Sequence, residues 1–527
     1  MGAEAVAAAF PPLLIAPVLL PLVAGAVLLL AERYRARWVP ALSLAAAVAL
    51  LGVALLLFAQ AADGAVRAYL VGNWRAPFGI ALALDRLSAL MLLLTALLAL
   101  AALVYARGGD EQRSPHFHPL VQFQLMGLNG AFLTADLFNL FVFFEVLLIA
   151  SYGLLLHGGG AARLRAALHY VTINLVASAL FLIAVALLYG VTGTLNLADL
   201  ALRVPALGPE HAQLVRAAGL LLLVVFCVKA AALPLYFWLP DSYGAASAPA
   251  AALFAIMTKV GIYAILRVTT LVFGAEGGGA AALAAPWLAA VGLATLAAAA
   301  IGAAAAQRLR VLVSYLVVFS AGTLLLAVGL ARAGTLAAGL VYLVNSTLAT
   351  AALFLLVDRV QAARTPGDAL QPAAFSAGRG LLGGAYFALA IAMAGLPPLA
   401  GFVAKAWLLV AAADHAAAVW VWVVLLGSSL IVIIALARAG ALLFWQPGEA
   451  APPSPAAPLR AVQIGPLLGL LAATVVCAIA AGPLAAYAQA SARQLLERQQ
   501  YIGAVLDAAP VPPALRPRER PGWSKPE

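Results

Sequence analysis

Four ionisable side chains stand inside long apolar runs of this sequence. They are Glu145 in NLFVFFEVLLIASYG, Lys229 in LLLVVFCVKAAALPLYFWLP, Lys259 in LFAIMTKVGIYAILR and Lys405 in LAGFVAKAWLLVAAA. The remaining lysine, Lys525, lies in a polar tail. An ionised side chain in hydrocarbon costs at least about 2.5–3.5 kcal/mol, so four cost on the order of 10 kcal/mol unless paired or hydrated. Burial lowers the proton affinity of an amine and raises that of a carboxylate, which brings both toward exchange at neutral pH. The chemistry these residues fit is therefore a proton or ion relay. Two plainer readings stand beside it: each lysine snorkels to an interface, most easily Lys259 near the start of its run, and Glu145 is a neutral acid hydrogen-bonded for structure.

Prolines sharpen the case. Lys229 precedes Pro234 by five residues, and Lys405 follows Pro398 by seven. Proline removes an amide donor and breaks or kinks a helix. Unpaired backbone groups at membrane depth are tolerated only where they face a cavity or protein interior. A broken helix with a lysine thus occurs twice, which hints at an internal repeat. His169 opens a run in RAALHYVTINLVASALF and suits either a link from the path to the inner surface or a simple interfacial histidine. Asp136, Asn139, Asn174 and Ser178 are polar groups near Glu145 that can orient water or support packing. Asp85, Asp136, Asp199 and Asp241 fall at run edges. No nucleophile triad, phosphate loop, dinucleotide fingerprint or redox-cofactor motif is visible, so no cofactor is expected.

The elements that must position these groups are transmembrane helices. Of 527 residues, 65% are hydrophobic and 9% charged, against about 25% charged in a soluble domain. Apolar runs exceed the length of about 20 residues that a helix needs to cross hydrocarbon, without the alternation of a membrane β-barrel. The expected fold is all-α and polytopic, with fourteen spans near 12–30, 39–60, 82–105, 119–135, 138–156, 169–190, 215–239, 247–270, 284–305, 309–330, 336–357, 381–409, 418–437 and 464–486. The seventh and twelfth contain the prolines and should be discontinuous.

The net charge of +10 comes from dispersed loop arginines, which excludes nucleic acid as the obvious partner and suits membrane orientation. With an outside N-terminus, inside loops hold fourteen arginines between Arg33 and Arg460. Outside loops hold six: Arg67, Arg75, Arg203, Arg216, Arg267 and Arg332. This is a positive-inside bias. The tail (Arg493, Arg498, Arg516, Arg518, Arg520, Lys525) pulls the other way and fits an odd span count better. Cys227 and Cys477 lack ligand spacing, so no metal site is indicated. Glu4 and the absence of a basic segment before Phe10 read as the approach to a retained span rather than a cleaved leader. APPSPAAP at 451–458 reads as a linker, and 505–527 as a disordered or partner-bound tail.

Several blocks resemble a known family. TADLFNLFVFFEVLLIASYGLL, HYVTINLVASALFLIAVALLYGVTGTLNLADLA, VKAAALPLYFWLPDSYGAASAPA, MTKVGIYAILR and GLPPLAGFVAKAWLL are similar to the antiporter-like membrane subunits. That superfamily holds the D subunit of the multisubunit Na⁺/H⁺ (Mrp, Mnh or Pha) antiporter and the proton-pumping membrane subunits of NADH–quinone oxidoreductase. DLFNLFVFFE and YGVTGTLNLADLA are most similar to the antiporter D subunit. The resemblance spans roughly residues 80–440. It implies helices 1–3 over 1–118, a five-helix repeat over 119–270, an inverted copy over 283–437, a loop over 438–463, a last helix over 464–486 and a polar tail over 487–527. It also implies both termini outside, a bacterial inner-membrane location, and a hetero-oligomer with other antiporter subunits that exchanges Na⁺ for H⁺. By motif, Glu145 and Lys229 match the pair that tunes the seventh-helix lysine, Lys259 the onward group and Lys405 the exit lysine. A transient Na⁺ contact at Glu145 is a weaker reading, since three lysines suit protons better. The rival readings are a subunit of a redox-driven proton pump and a structural module with inert buried charges.

Overall fold

The computed structural model describes residues 11–34, 36–365, 367–446 and 460–510. The segment up to Phe10, the 451–458 linker, and Arg516, Arg518, Arg520 and Lys525 of the tail lie outside the described residues. A 3-10 turn, Pro11–Ile15, leads into α1 (Ala16–Arg33) and α2 (Val39–Ala61). A hairpin of β1 (Arg67–Leu70) and β2 (Ala81–Leu84) follows, antiparallel with Arg67 opposite Leu84. Next come α3 (Arg86–Ala106), α4 (Phe117–Leu133), α5 (Leu137–Leu156), α6 (Ala161–Thr192) and the short α7 (Leu197–Ala206). The seventh span is α8 (Pro209–Lys229) with α9 (Trp238–Ala245), and the eighth is α10 (Ala248–Phe254) with α11 (Met257–Leu271). Then follow α12 (Ala285–Ala305), α13 (Leu309–Gly329) and α14 (Ala333–Ala363). The twelfth span is α15 (Arg379–Ala394) with α16 (Ala400–Ala411). The chain closes with α17 (Ala418–Gly440), α18 (Ala461–Ile479), α19 (Ala481–Leu496) and α20 (Arg498–Leu506).

Among the described residues, twelve helical stretches are long and apolar enough to cross a membrane. The 17-residue α4 and the α15–α16 pair bring the range to twelve to fourteen. The α10–α11 stretch and α14 are enclosed by other helices, whereas α1, α2, α6, α12, α17 and α18 turn apolar faces outward. The middle of the bundle is thus lined by the spans that carry Lys259 and the Ser/Thr-rich stretch of α14.

Local sequence explains the boundaries. The third span starts at Arg86 rather than 82 because Asp85 caps it: Oδ1 accepts from Ser88 N–H and the Ser88 hydroxyl accepts from Asp85 N–H, both at 2.8 Å. This reciprocal capping box satisfies amides that would otherwise be orphaned. Residues 81–84 are left free to pair as a strand. Inside α1, Pro21 has no N–H to give the Pro17 carbonyl, and Asn129 Nδ2 of α4 donates to it instead at 2.8 Å.

Loop contacts sort into two surfaces. On one, α20 rests on α7 and the hairpin, and Arg498 pairs with Glu276 at 2.6 Å. Gln494 donates to the Gly64 carbonyl at 2.7 Å. The described tail therefore lies with the loops after the second, sixth and eighth spans, as an even number of crossings requires. The opposite, arginine-rich surface is the inner one by the positive-inside rule. There Tyr105 donates to Asp358 at 2.7 Å, and Arg359 reaches Tyr105 at 2.9 Å and Gln463 at 2.6 Å. That network ties α3, α14 and α18 together.

Asp110, in the inner loop after α3, accepts through its backbone carbonyl from His157 Nε2 at 2.7 Å. Burial, with the Asp358 charge adding to it, pushes its carboxyl up to about 6. A carboxyl raised on folding favours the folded state in its neutral form. The contribution is complete below the unfolded value near 4 and is lost as pH rises through about 6. Asp110→Asn should therefore match wild type near pH 4 and exceed it by about 3 kcal/mol above pH 7. Thermal unfolding across pH 5–8 checks this, and a variant that tracks wild type throughout contradicts it.

Candidate functional site

The seventh span ends its outer half at Lys229, the last helical residue of α8. Ala231 takes a left-handed conformation (φ 56°) and Pro234 follows, so helix does not resume until Trp238. The cation sits at a half-helix C-terminus, the electronegative end of the dipole. Lys229 is 5% exposed. Its Nζ donates to Asn174 Oδ1 at 3.3 Å and to Ser178 Oγ at 3.4 Å, both from α6. The Phe144 ring lies 5.8 Å from the ammonium, within cation–π range. Ser178 in turn donates to Glu145 Oε1 on α5. Glu145 and Lys229 thus meet on one hydroxyl rather than in a direct ion pair. Gly261 of α11 makes the close approach possible, since a Cβ there would stand 2.6 Å from the Ala230 nitrogen.

Glu145 is only half-buried, on an α5 stripe shared with exposed Phe138, Val142 and Ile149. Lys259 is the opposite case, fully enclosed at 0% exposure. It follows a two-residue joint at Ala255–Ile256 between α10 and α11, and donates to Ser320 Oγ of α13 at 2.7 Å and Thr258 Oγ1 at 3.3 Å. A snorkelling position is excluded for it.

Lys405 is 6% exposed. It reaches back across the twelfth-span break to donate to the Ala394 carbonyl, the last of α15, at 2.8 Å, and to Ser429 Oγ of α17 at 3.0 Å. This ammonium too lies at a half-helix C-terminus. Gly395 is required here: its φ is +76°, and a Cβ would stand 2.7 Å from the Lys405 Cδ. Phe319 faces Lys405 with its ring centroid 4.8 Å from Nζ, while its neighbour Ser320 holds Lys259. One turn of α13 therefore touches both lysines. Beside it, Asn345 donates to the Ala392 carbonyl at 3.0 Å and keeps a buried, unpartnered Oδ1.

The accessory candidates separate. Asp136 caps α5, accepting from Asn139 N–H at 2.8 Å. His169 is exposed on α6, one residue before buried Tyr170, and does not join the Glu145–Lys229 group. Asn174 and Ser178 do. Ser320, Ser429 and Asn345 were not singled out by sequence, because a hydroxyl or amide in an apolar run is ordinary. Among the described residues no cluster of histidine, cysteine or carboxylate side chains is placed to hold a metal.

Residues 134–433 match the family described as NADH:quinone oxidoreductase/Mrp antiporter, TM. A protein of Rhizobium meliloti, named as the probable D subunit of a K(+)/H(+) antiporter, is 44% identical over 530 residues, covering 94% of this chain and 98% of that one. The chain belongs to the antiporter D-subunit family. The Na(+)/H(+) antiporter D subunit of Alkalihalophilus pseudofirmus is 35% identical, with 94% of this chain and 99% of that protein covered. Among solved structures, a chain of the Mrp complex from Dietzia sp. DQ12-45-1b superposes with a TM-score of 0.84 at 29% identity, covering 94% of this chain and 99% of that chain. As a D-subunit family member, this is a multi-pass protein of the bacterial inner membrane. It is a transporter subunit rather than an enzyme and works within a multisubunit antiporter complex.

Proposed function

We propose that this chain is the proton-translocating subunit of a monovalent cation/H⁺ antiporter and that Glu145, Lys229, Lys259 and Lys405 carry the proton. The observation that supports this most is the shared hydroxyl of Ser178. It donates to Glu145 while lying within reach of a Lys229 N–H, so one hydroxyl links the two groups and offers a route for a proton to pass between them before the lysine hands it onward. When Glu145 is ionised it favours a charged Lys229; weakening that pairing releases the lysine proton toward Lys259 and then Lys405. Relatives are named for both K⁺ and Na⁺, so the coupled cation is stated as monovalent. The two lysine-bearing breaks fit inverted five-helix repeats over 119–270 and 283–437.

Ser178→Ala should slow antiport about tenfold or more, since positioned proton transfer is worth at least that. Ser178→Thr keeps the hydroxyl and should restore most of it. Everted vesicles carrying the complete complex report the rate as salt-induced dissipation of a proton gradient. Wild-type antiport in Ser178→Ala would remove the serine from the path.

A further inference from the structure

At the inner surface, away from the lysines, four guanidinium groups converge on one cavity of about 310 Å³. Arg113, Arg163, Arg310 and Arg359 line it, with Asp358 and Ser247. Two of these charges are already matched: Arg359 pairs with Asp358 at 2.5 Å, and Arg113 with nearby Asp110 at 3.2 Å. Among the described residues, Arg163 has no carboxylate of its own, and Arg310 only a distant share of Asp358 at 3.9 Å. The cavity therefore holds an excess of positive charge. Two donors in its wall also lack an acceptor: Arg310 Nε and Ser247 Oγ are buried without hydrogen-bond partners, on residues only 7% and 1% exposed.

Orphaned buried donors beside unmatched guanidiniums call for a negatively charged, multidentate acceptor. We propose that this cavity binds a phosphate group, supplied by an anionic lipid headgroup or as free phosphate. Phosphate oxygens accept in the forked geometry guanidinium offers. The site opens on the arginine-rich face, where anionic headgroups concentrate. It also sits at the joint of two proton-path spans. Arg163 Nε holds the Ala245 carbonyl at 2.9 Å and Arg310 the Ala246 carbonyl at 2.7 Å, the residues that link α9 to α10 through Ser247. An anion bound there would fix those two arginines, and with them the inner ends of the seventh and eighth spans.

The test uses the purified complete complex carrying wild-type chain, Arg310→Gln or Arg113→Gln. The second variant guards against misfolding, because the Arg113 side chain is 46% exposed. One arm measures binding of radiolabelled inorganic phosphate after delipidation; the other counts phosphatidylglycerol retained through detergent washing by native mass spectrometry. Saturable phosphate binding that weakens about tenfold in both variants supports the site with free phosphate as its source. Retained phosphatidylglycerol lost from both variants supports it with a headgroup as its source. If wild type binds neither, or both variants bind as wild type does, the proposal is overturned.

Discussion

Replacing Lys229 by alanine should cut antiport by about two orders of magnitude, the scale of a lost proton-transfer group, while the complex still assembles. The transport loss follows from position. Lys229 is the group within reach of both the Ser178 hydroxyl and the Asn174 side chain, at the end of the broken α8. Alanine leaves nothing there to accept or release a proton. Assembly should survive because the change deletes a buried charge rather than stranding one. Glu145 keeps its Ser178 hydrogen bond, and Asn174 keeps its own, donating to the Tyr170 carbonyl at 2.9 Å. The check is antiport in everted vesicles beside quantification of the complex on native gels. Intact complex with antiport near wild type would show Lys229 to be a structural charge.

Asp85→Ala should be the most destabilising single change at the outer surface, by about 3–5 kcal/mol, the cost of breaking a buried ion pair from one side. Asp85 and Arg267 are 2% and 4% exposed, and their atoms meet at 2.6 Å. Arg267 also donates to the Tyr263 hydroxyl at 3.1 Å and lies between the rings of Tyr263 and Tyr501, at 5.2 and 4.9 Å. Removing the carboxylate strands that guanidinium and uncaps α3 at once. Adding Arg267→Met removes the stranded charge and should recover more than half of the loss. Thermal unfolding in detergent measures both. A double variant no more stable than Asp85→Ala would show that the cap, not the ion pair, carries the effect.

Much of this molecule was legible because charge and proline are conspicuous in apolar sequence. Lys229, Lys259 and Lys405 stood out because an isolated amine in a hydrophobic run has a large cost that something must offset. Pro234 and Pro398 announced the breaks beside two of them. Asp85 and Arg267 were equally visible, yet read as an edge acid and an outer-loop arginine; 182 positions of sequence separation hid their pairing. Arg310, counted as an orienting loop charge, instead buries its guanidinium against the joint before α10. Ser320 and Ser429 gave no signal, since serine in a helix is cheap and its role depends on which lysine packs opposite. The 81–84 strand and the helices of 481–506 depend on a cap and on docking surfaces that periodicity does not report.

The measurement that bears most directly on the central claim is a double-mutant cycle on Glu145 and Lys229 in the complete complex. Antiport is measured for Glu145→Ala, Lys229→Ala and the double variant at matched expression. Groups that act as one proton-transfer unit are strongly non-additive, so the double variant should be no slower than Lys229→Ala alone. Losses that multiply, or near-normal antiport in the double variant, would contradict a shared path through Ser178.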